Sequence, residues 1–178
     1  MKKLVLSFIA LLSIIGVSAQ QYKIGYVDTE YILNSMPEYK EAQKELDKLS
    51  ADWQQQVERR YTEIEKMYKN YQAEEILLTE EMKKKREDEI IQKERDAKEF
   101  QKSKFGVDGE LFKKRKELIQ PIQDKVYEAI ADVAKAGSYY IIFDKASQNG
   151  LTILYAKSSI NVSDDVLKKM GFTPGESK

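Results

Sequence analysis

Two aspartates that follow β-prone segments, Asp28 and Asp144, are the residues whose type and placement could support catalysis. A pair of carboxylates can serve as acid and base in hydrolysis. A carboxylate at a strand end more often accepts hydrogen bonds from the following turn, so we interpret both as caps. The chain of 178 residues contains neither cysteine nor histidine, which excludes a thiol nucleophile, an imidazole base and metal sites built from them. The sequence contains no phosphate-binding glycine loop. It therefore predicts no enzyme, no cofactor and no metal site.

Four consecutive basic residues are the strongest candidate for an ionic binding site: Lys83, Lys84, Lys85 and Arg86. Acidic residues flank the run on both sides, so one interpretation is a solvated helix face. The other is a positive surface that contacts a protein ligand or an anionic lipid surface. Across the chain, 30 basic residues balance 30 acidic residues. No nucleic-acid partner is expected from such a balance.

Four aromatic residues recur at helical spacing and form a second candidate surface: Trp53, Tyr61, Tyr68 and Tyr71. They could line a binding cavity, or they could pack the seam between two antiparallel helices. The seam is the favoured interpretation, because a narrow apolar stripe on a polar helix is what a coiled coil requires. The same two alternatives hold for three residues further along the chain: Phe100, Phe105 and Phe112.

The element that must position these side chains is a long helical stretch from about Glu38 to Lys135. Apolar residues recur there at steps of three and four, which is typical of one helix face. The other faces carry Glu-to-Lys pairs four residues apart, such as Glu65/Lys69, worth about 0.2–0.5 kcal/mol each. A helix this polar predicts a coiled coil that stands largely in water.

The stripe weakens near residue 72, which favours a hairpin over one unbroken helix. The outgoing arm begins at Pro37, a residue suited to a first helical turn. The tip of the hairpin is predicted at Gln72–Leu78. Thr79, followed by two glutamates, has the pattern of an N-cap for the returning helix.

The return arm is predicted from Thr79 to about Ala136. Gly106 and Gly109 should weaken it, because glycine costs a helix interior about 0.5–1 kcal/mol relative to alanine. Pro121 removes one backbone hydrogen bond, so it should bend the helix where the arm meets the body.

Residues 1–19 have the pattern of a cleaved signal peptide. A short basic start, Met1-Lys2-Lys3, precedes an apolar run that ends in Val17-Ser18-Ala19. The run is too short for a comfortable membrane span, and polar residues follow it. We therefore expect an exported protein.

The two ends of the remaining chain predict a small β-rich body. Strands are expected at 22–28, 139–144 and 151–156, with a tight turn at Ser147–Gly150 and a short helix capped by Ser163. The predicted class is α+β, with body segments 20–36 and 122–172, a helical hairpin arm at 37–121 with its tip near 72–78, and a tail at 173–178. So small a core favours oligomerisation. The candidate interface residues are Tyr26, Tyr140, Ile142 and Leu154.

Several segments in this order resemble the Skp/OmpH family of periplasmic chaperones. They are Ile24–Asp28, Ile32–Asn34 with Pro37, Glu117–Ile122, Ala129–Ala134, Tyr140–Asp144, Leu154–Ala156 and Val162–Val166. The resemblance covers essentially the whole chain after residue 19.

The resemblance implies a homotrimer whose body is assembled from the strands of three chains, with three helical hairpins around a central cavity. It also implies an ATP-independent holdase that keeps unfolded outer-membrane proteins from aggregating in the periplasm. The family's best-known members are strongly basic, whereas this chain is neutral. The alternative hypothesis is a structural coiled coil that spaces or tethers parts of the envelope.

Overall fold

The computed structural model describes residues 22–146 and 153–175. In chain order, the elements are β1 (Lys23–Val27), α1 (Thr29–Asn34), α2 (Pro37–Glu74), a 3₁₀ turn (Glu75–Leu77), α3 (Glu80–Phe105), α4 (Glu110–Ala136), β2 (Tyr139–Asp144), a second 3₁₀ turn (Ser158–Ile160) and α5 (Ser163–Lys169). The predicted class, a long helical hairpin on a small α+β body, is confirmed.

The sheet joins the two ends of the chain. β1 and β2 are parallel, with Ile24 opposite Ile141 and Tyr26 opposite Phe143. Parallel strands need a long crossover, and here the whole helical hairpin is that connection. On the other side of β1, the Val162 N–H donates to the Tyr26 carbonyl at 2.9 Å.

The predicted third strand is wrong over the residues that the structure describes. Residues 153–157 have no strand pairing, and Leu154 and Tyr155 are 93% and 82% exposed. The predicted turn at 147–150 and residues 151–152 lie outside the described residues. A β-prone pattern becomes a strand only where a partner edge is available, and a bridge between Tyr26 and Asn161 already uses part of the free side of β1.

The core of the body lies where both strands meet the roots of the helices. α1, the start of α2, the end of α4 and α5 all contribute to it. Its buried members are Val27, Ile32, Met36, Ala42, Leu46, Ile119, Ile122, Val126, Ala129, Val162, Val166 and Leu167.

Polar side chains join the strand ends to α1 and α5. Ser163 is fully buried, and its Oγ accepts from the Asp28 N–H at 2.9 Å while donating to Asn161 Oδ1 at 2.7 Å. The prediction that Ser163 caps the last helix is wrong, since the N-cap position falls on Val162. The hydroxyl instead links α5 to Asp28, the residue that follows β1 and lies 135 positions before Ser163 in the sequence.

The hairpin turns between α2 and α3. α2 ends at Glu74, the 3₁₀ turn reverses the chain, and Thr79 Oγ1 accepts from the Met82 N–H at 3.3 Å. The predicted N-cap at Thr79 is therefore confirmed. Beyond the body core, a second and smaller cluster holds α2 against α3, with Ile64, Ile90 and Ala97 buried.

The return arm consists of two helices rather than one. α3 ends at Phe105 and α4 begins at Glu110, so the glycine-containing segment 106–109 interrupts the helix. A Cβ at Gly109 would lie 2.8 Å from the Lys104 carbonyl oxygen, which explains why the tight connection needs glycine. Pro121 lies on the exposed side within α4, which continues to Ala136.

Candidate functional site

The two aspartates considered for catalysis serve as hydrogen-bond acceptors at the strand ends. Asp28 Oδ1 accepts from the Tyr31 N–H at 3.0 Å and so caps α1. Asp144 accepts from the Thr29 N–H at 3.2 Å, the Thr29 hydroxyl at 2.7 Å and the Ala146 N–H at 3.0 Å. Among the described residues, no group of three acidic side chains could hold a metal ion.

Three tyrosines of α2 reach across the hairpin to polar side chains of α3. The Tyr71 hydroxyl donates to Glu87 at 2.6 Å, that of Tyr68 to Glu94 at 3.2 Å, and that of Tyr61 lies 3.4 Å from Gln101 Oε1. The hydrogen bond to the Glu87 carboxylate raises the pKa of Tyr71 to about 12. These contacts set the register of the two antiparallel helices.

Tyr61 and Tyr68 are nevertheless 39% and 41% exposed. Each ring thus spans the seam and also presents part of its surface to solvent. A tyrosine of this kind can stabilise the hairpin and still offer apolar area to a ligand. Packing of the helix seam and contact with a bound ligand, the two alternatives for these aromatic residues, are therefore compatible in one side chain.

Trp53 lies opposite the interruption between α3 and α4. Its ring meets Phe105 edge to face, with centroids 6.4 Å apart. The Lys104 ammonium lies 5.1 Å from the indole centroid and 2.5 Å from a Glu110 carboxylate oxygen. These contacts bridge α2, the last turn of α3 and the first turn of α4, so Trp53 supports the weakest point of the return arm.

The basic run near the tip lies among acidic neighbours. Lys83 Nζ lies 3.0 Å from Glu80 Oε1, and this hydrogen bond raises the pKa of Lys83. Arg86 lies 3.8 Å from Glu74, while Lys84 and Lys85 are exposed. Residues 74–89 contain seven acidic and four basic side chains, a net charge of −3. The tip as a whole is therefore acidic despite its basic run.

The four candidate interface residues do not share one surface. Tyr140 and Leu154 are 62% and 93% exposed, whereas Tyr26 is half-buried. Ile142 packs against the body core, so it lies on the covered face of the sheet. Its neighbour Ile141 is 50% exposed and is the better placed of the two for a partner. The sequence could not distinguish Ile141 from Ile142 as the exposed residue, because β2 is apolar on both faces.

The structure also places apolar side chains in solvent along the arm. Ile76 and Leu77, in the turn at the tip, are 91% and 81% exposed. On the return arm, Ile91, Phe112 and Tyr127 are each about half exposed. The sequence analysis places Ile76 and Leu77 only in the turn. Two consecutive apolar residues in an exposed turn also indicate a contact surface.

None of the helices in the described residues combines the length and apolar character that crossing a membrane requires.

Comparison with known proteins relates this architecture to one family. The sequence model of the family "Outer membrane protein (OmpH-like)" matches residues 23–170. Six solved chains match the structure. One of them is a crystal structure of a candidate outer membrane chaperone (OmpH-like) from Caulobacter crescentus CB15, with a TM-score of 0.65 and 10% identity over 85% of each chain. The comparison with curated protein sequences gave no match.

Proposed function

Because the chain belongs to the OmpH-like outer membrane protein family, we propose that it is a chaperone, and specifically an ATP-independent holdase for unfolded outer-membrane proteins in the periplasm. The observation that carries this proposal is the family match over residues 23–170, which includes both strands and the whole helical hairpin. The Caulobacter crescentus protein of the same fold is described as a candidate outer membrane chaperone, which supports the same role.

The physical basis for holding such clients is a polar arm with separate apolar contacts. Ile91 and Phe112 lie at different heights along the return arm, and Tyr127 lies where α4 joins the body core; all three are about half exposed. The strands of an outer-membrane barrel alternate apolar and polar residues and have unpaired edges until they insert. Many weak contacts can cover such a chain without imposing one geometry on it.

We also propose that the body assembles into a homotrimer. The side chains that support this are large, apolar and exposed in the body: Tyr140 and Ile141 on β2, and Leu154 and Tyr155 in the segment that follows it. Large apolar side chains exposed on a small body are typical of surfaces that a partner chain covers. A partner chain that covers them would enlarge the thin core of each body.

The trimer can be tested with the double variant Tyr140→Ser/Leu154→Ser. We expect its dissociation constant to rise at least about tenfold, because each 1.4 kcal/mol of lost interface free energy is a factor of ten. Light scattering coupled to size exclusion measures the mass. The matched control, Ile91→Ser/Phe112→Ser, removes similarly apolar side chains from the arm and should leave the mass unchanged. A double variant that stays trimeric at all concentrations would exclude these two side chains from the trimer interface.

The chaperone activity is tested by diluting a urea-unfolded outer-membrane barrel into buffer that contains the chain from Gln20 onward. We expect near-stoichiometric amounts to suppress the rise in light scattering without ATP. The Ile91→Ser/Phe112→Ser variant should need a higher concentration for the same suppression, because two of the apolar contacts are gone.

Absence of suppression, together with stable binding to a folded envelope component, would favour the alternative function, a coiled-coil spacer or tether. A folded, inert protein of equal concentration is the control for nonspecific crowding. Suppression that this control reproduces would count against a holdase.

A further inference from the structure

The turn at the far end of the hairpin exposes two consecutive large apolar side chains. Ile76 and Leu77 are 91% and 81% exposed, and Met82 in the next turn is half exposed. α2 has 38 residues, so at 1.5 Å per residue this turn stands about 57 Å from the root of the arm. These three side chains belong to neither of the hydrophobic clusters in the described part of the chain.

Part of the backbone in and just after this turn is hydrogen-bonded within the chain. The Leu78 N–H donates to the Glu75 carbonyl at 3.2 Å, and the Lys83 N–H donates to the Thr79 carbonyl at 2.9 Å. Backbone groups that have partners can move into a medium of low dielectric at a small cost. These bonded groups therefore add little cost when Ile76 and Leu77 enter an apolar environment.

The shape of the turn indicates which surface it fits. Two side chains at the end of a rod offer far less area than the roughly 800 Å² per partner of a stable protein interface. A fluid lipid surface can close around a convex projection of this size, as it does around interfacial apolar anchors.

The charges around the turn favour lipids with no net charge. The net charge of residues 74–89 is −3, so an anionic surface would repel this region. Lys84 and Lys85 are exposed and can meet lipid phosphates, while the exposed Glu75 and Glu81 can meet lipid amines. Zwitterionic headgroups carry both of these charges.

We propose that Ile76 and Leu77 insert into the interface of a zwitterionic phospholipid bilayer and dock the tip of the arm on it. The contact is apolar in origin, and Lys84 and Lys85 of the basic run contribute only to the choice of headgroup. It needs no client protein, so it stands independently of the holdase activity.

The chain has no cysteine, so Leu77→Cys can carry a single environment-sensitive fluorophore. With vesicles of phosphatidylethanolamine and phosphatidylcholine, we expect a blue shift and quenching by lipids labelled in the acyl chain. The same fluorophore at Lys66→Cys, on the exposed shaft of α2, should respond to neither. Equal responses at both positions would overturn the proposal. A response at Leu77→Cys to an unfolded barrel but not to vesicles would also overturn it and assign the turn to clients.

Unlabelled variants of the chain from Gln20 onward test the origin of the contact by vesicle flotation. We expect Ile76→Ser/Leu77→Ser to lower partitioning at least about tenfold, because these side chains supply the inserted apolar area. The Lys84→Gln/Lys85→Gln variant should still partition onto vesicles. It should do so even at high ionic strength, where ion pairs with the headgroups are screened. Binding that survives the serine variant, or that salt or the glutamine variant abolishes, would contradict apolar insertion.

Discussion

We expect the Ile90→Asp variant to unfold the outer half of the helical hairpin while its body stays folded. Ile90 is 2% exposed and packs in a cluster whose other buried members are Ile64 and Ala97. A carboxylate at this position would be buried without a cation, which costs on the order of 3–5 kcal/mol or more. The outer cluster has only three buried residues, so its packing is too small to compensate for this loss of stability.

The matched control is the adjacent residue, Ile91, which is 51% exposed. Ile91→Asp introduces the same side chain one position along α3, where water solvates it, and should change the stability of the arm by less than about 0.5 kcal/mol. The pair therefore separates the effect of burial from that of charge and sequence context.

Hydrogen exchange followed by mass spectrometry measures the outcome for both variants. In Ile90→Asp, protection of peptides from residues 60–100 should fall by about two to three orders of magnitude, since 1.4 kcal/mol is a factor of ten. Peptides from the body, such as residues 23–36 and 162–170, should keep their protection. Loss of protection in the body as well would mean that arm and body unfold as one cooperative unit.

The second large effect is expected for Leu167→Ala, in the body. Leu167 is fully buried on α5 and belongs to the cluster that joins both ends of the chain. Truncation of a buried leucine costs about 2–5 kcal/mol, the upper values arising where the cavity cannot collapse. A domain with 5–15 kcal/mol of stability would lose a large share of it.

Urea unfolding at one fixed protein concentration measures this loss, because assembly would make stability depend on concentration. Leu77→Ala is the matched control, since Leu77 is 81% exposed in the turn at the tip and should lose less than about 0.5 kcal/mol. Equal unfolding midpoints for Leu167→Ala and the unmodified chain would show that the body core does not limit stability.

Much of the arm could be predicted because its signals are local. The stripe from Leu46 to Tyr71 repeats with the period of a helix, and it weakens close to the point where α2 ends, at Glu74. Thr79 followed by two glutamates is recognisable as an N-cap from three residues alone. Each of these patterns involves residues that are close together in the sequence, so it can be recognised without knowing the tertiary structure.

The candidate site could be predicted only in part. Helical spacing placed Tyr61, Tyr68 and Tyr71 on one face of α2, but their partners on α3 depend on the register of the hairpin. The basic run was visible in the sequence. Its charge environment was not, because Glu74 comes within 3.8 Å of Arg86 only when the chain turns back.

The sequence by itself determined the helical hairpin, its capped return and the β-prone character of both ends, since each follows from periodicity and short-range hydrogen bonding. The tertiary structure decided that β1 pairs in parallel with β2, that Ser163 bonds to Asp28, and that residues 153–157 form no strand. These features depend on which distant groups meet, and a hydrogen bond or apolar contact gains free energy only when its partner is present.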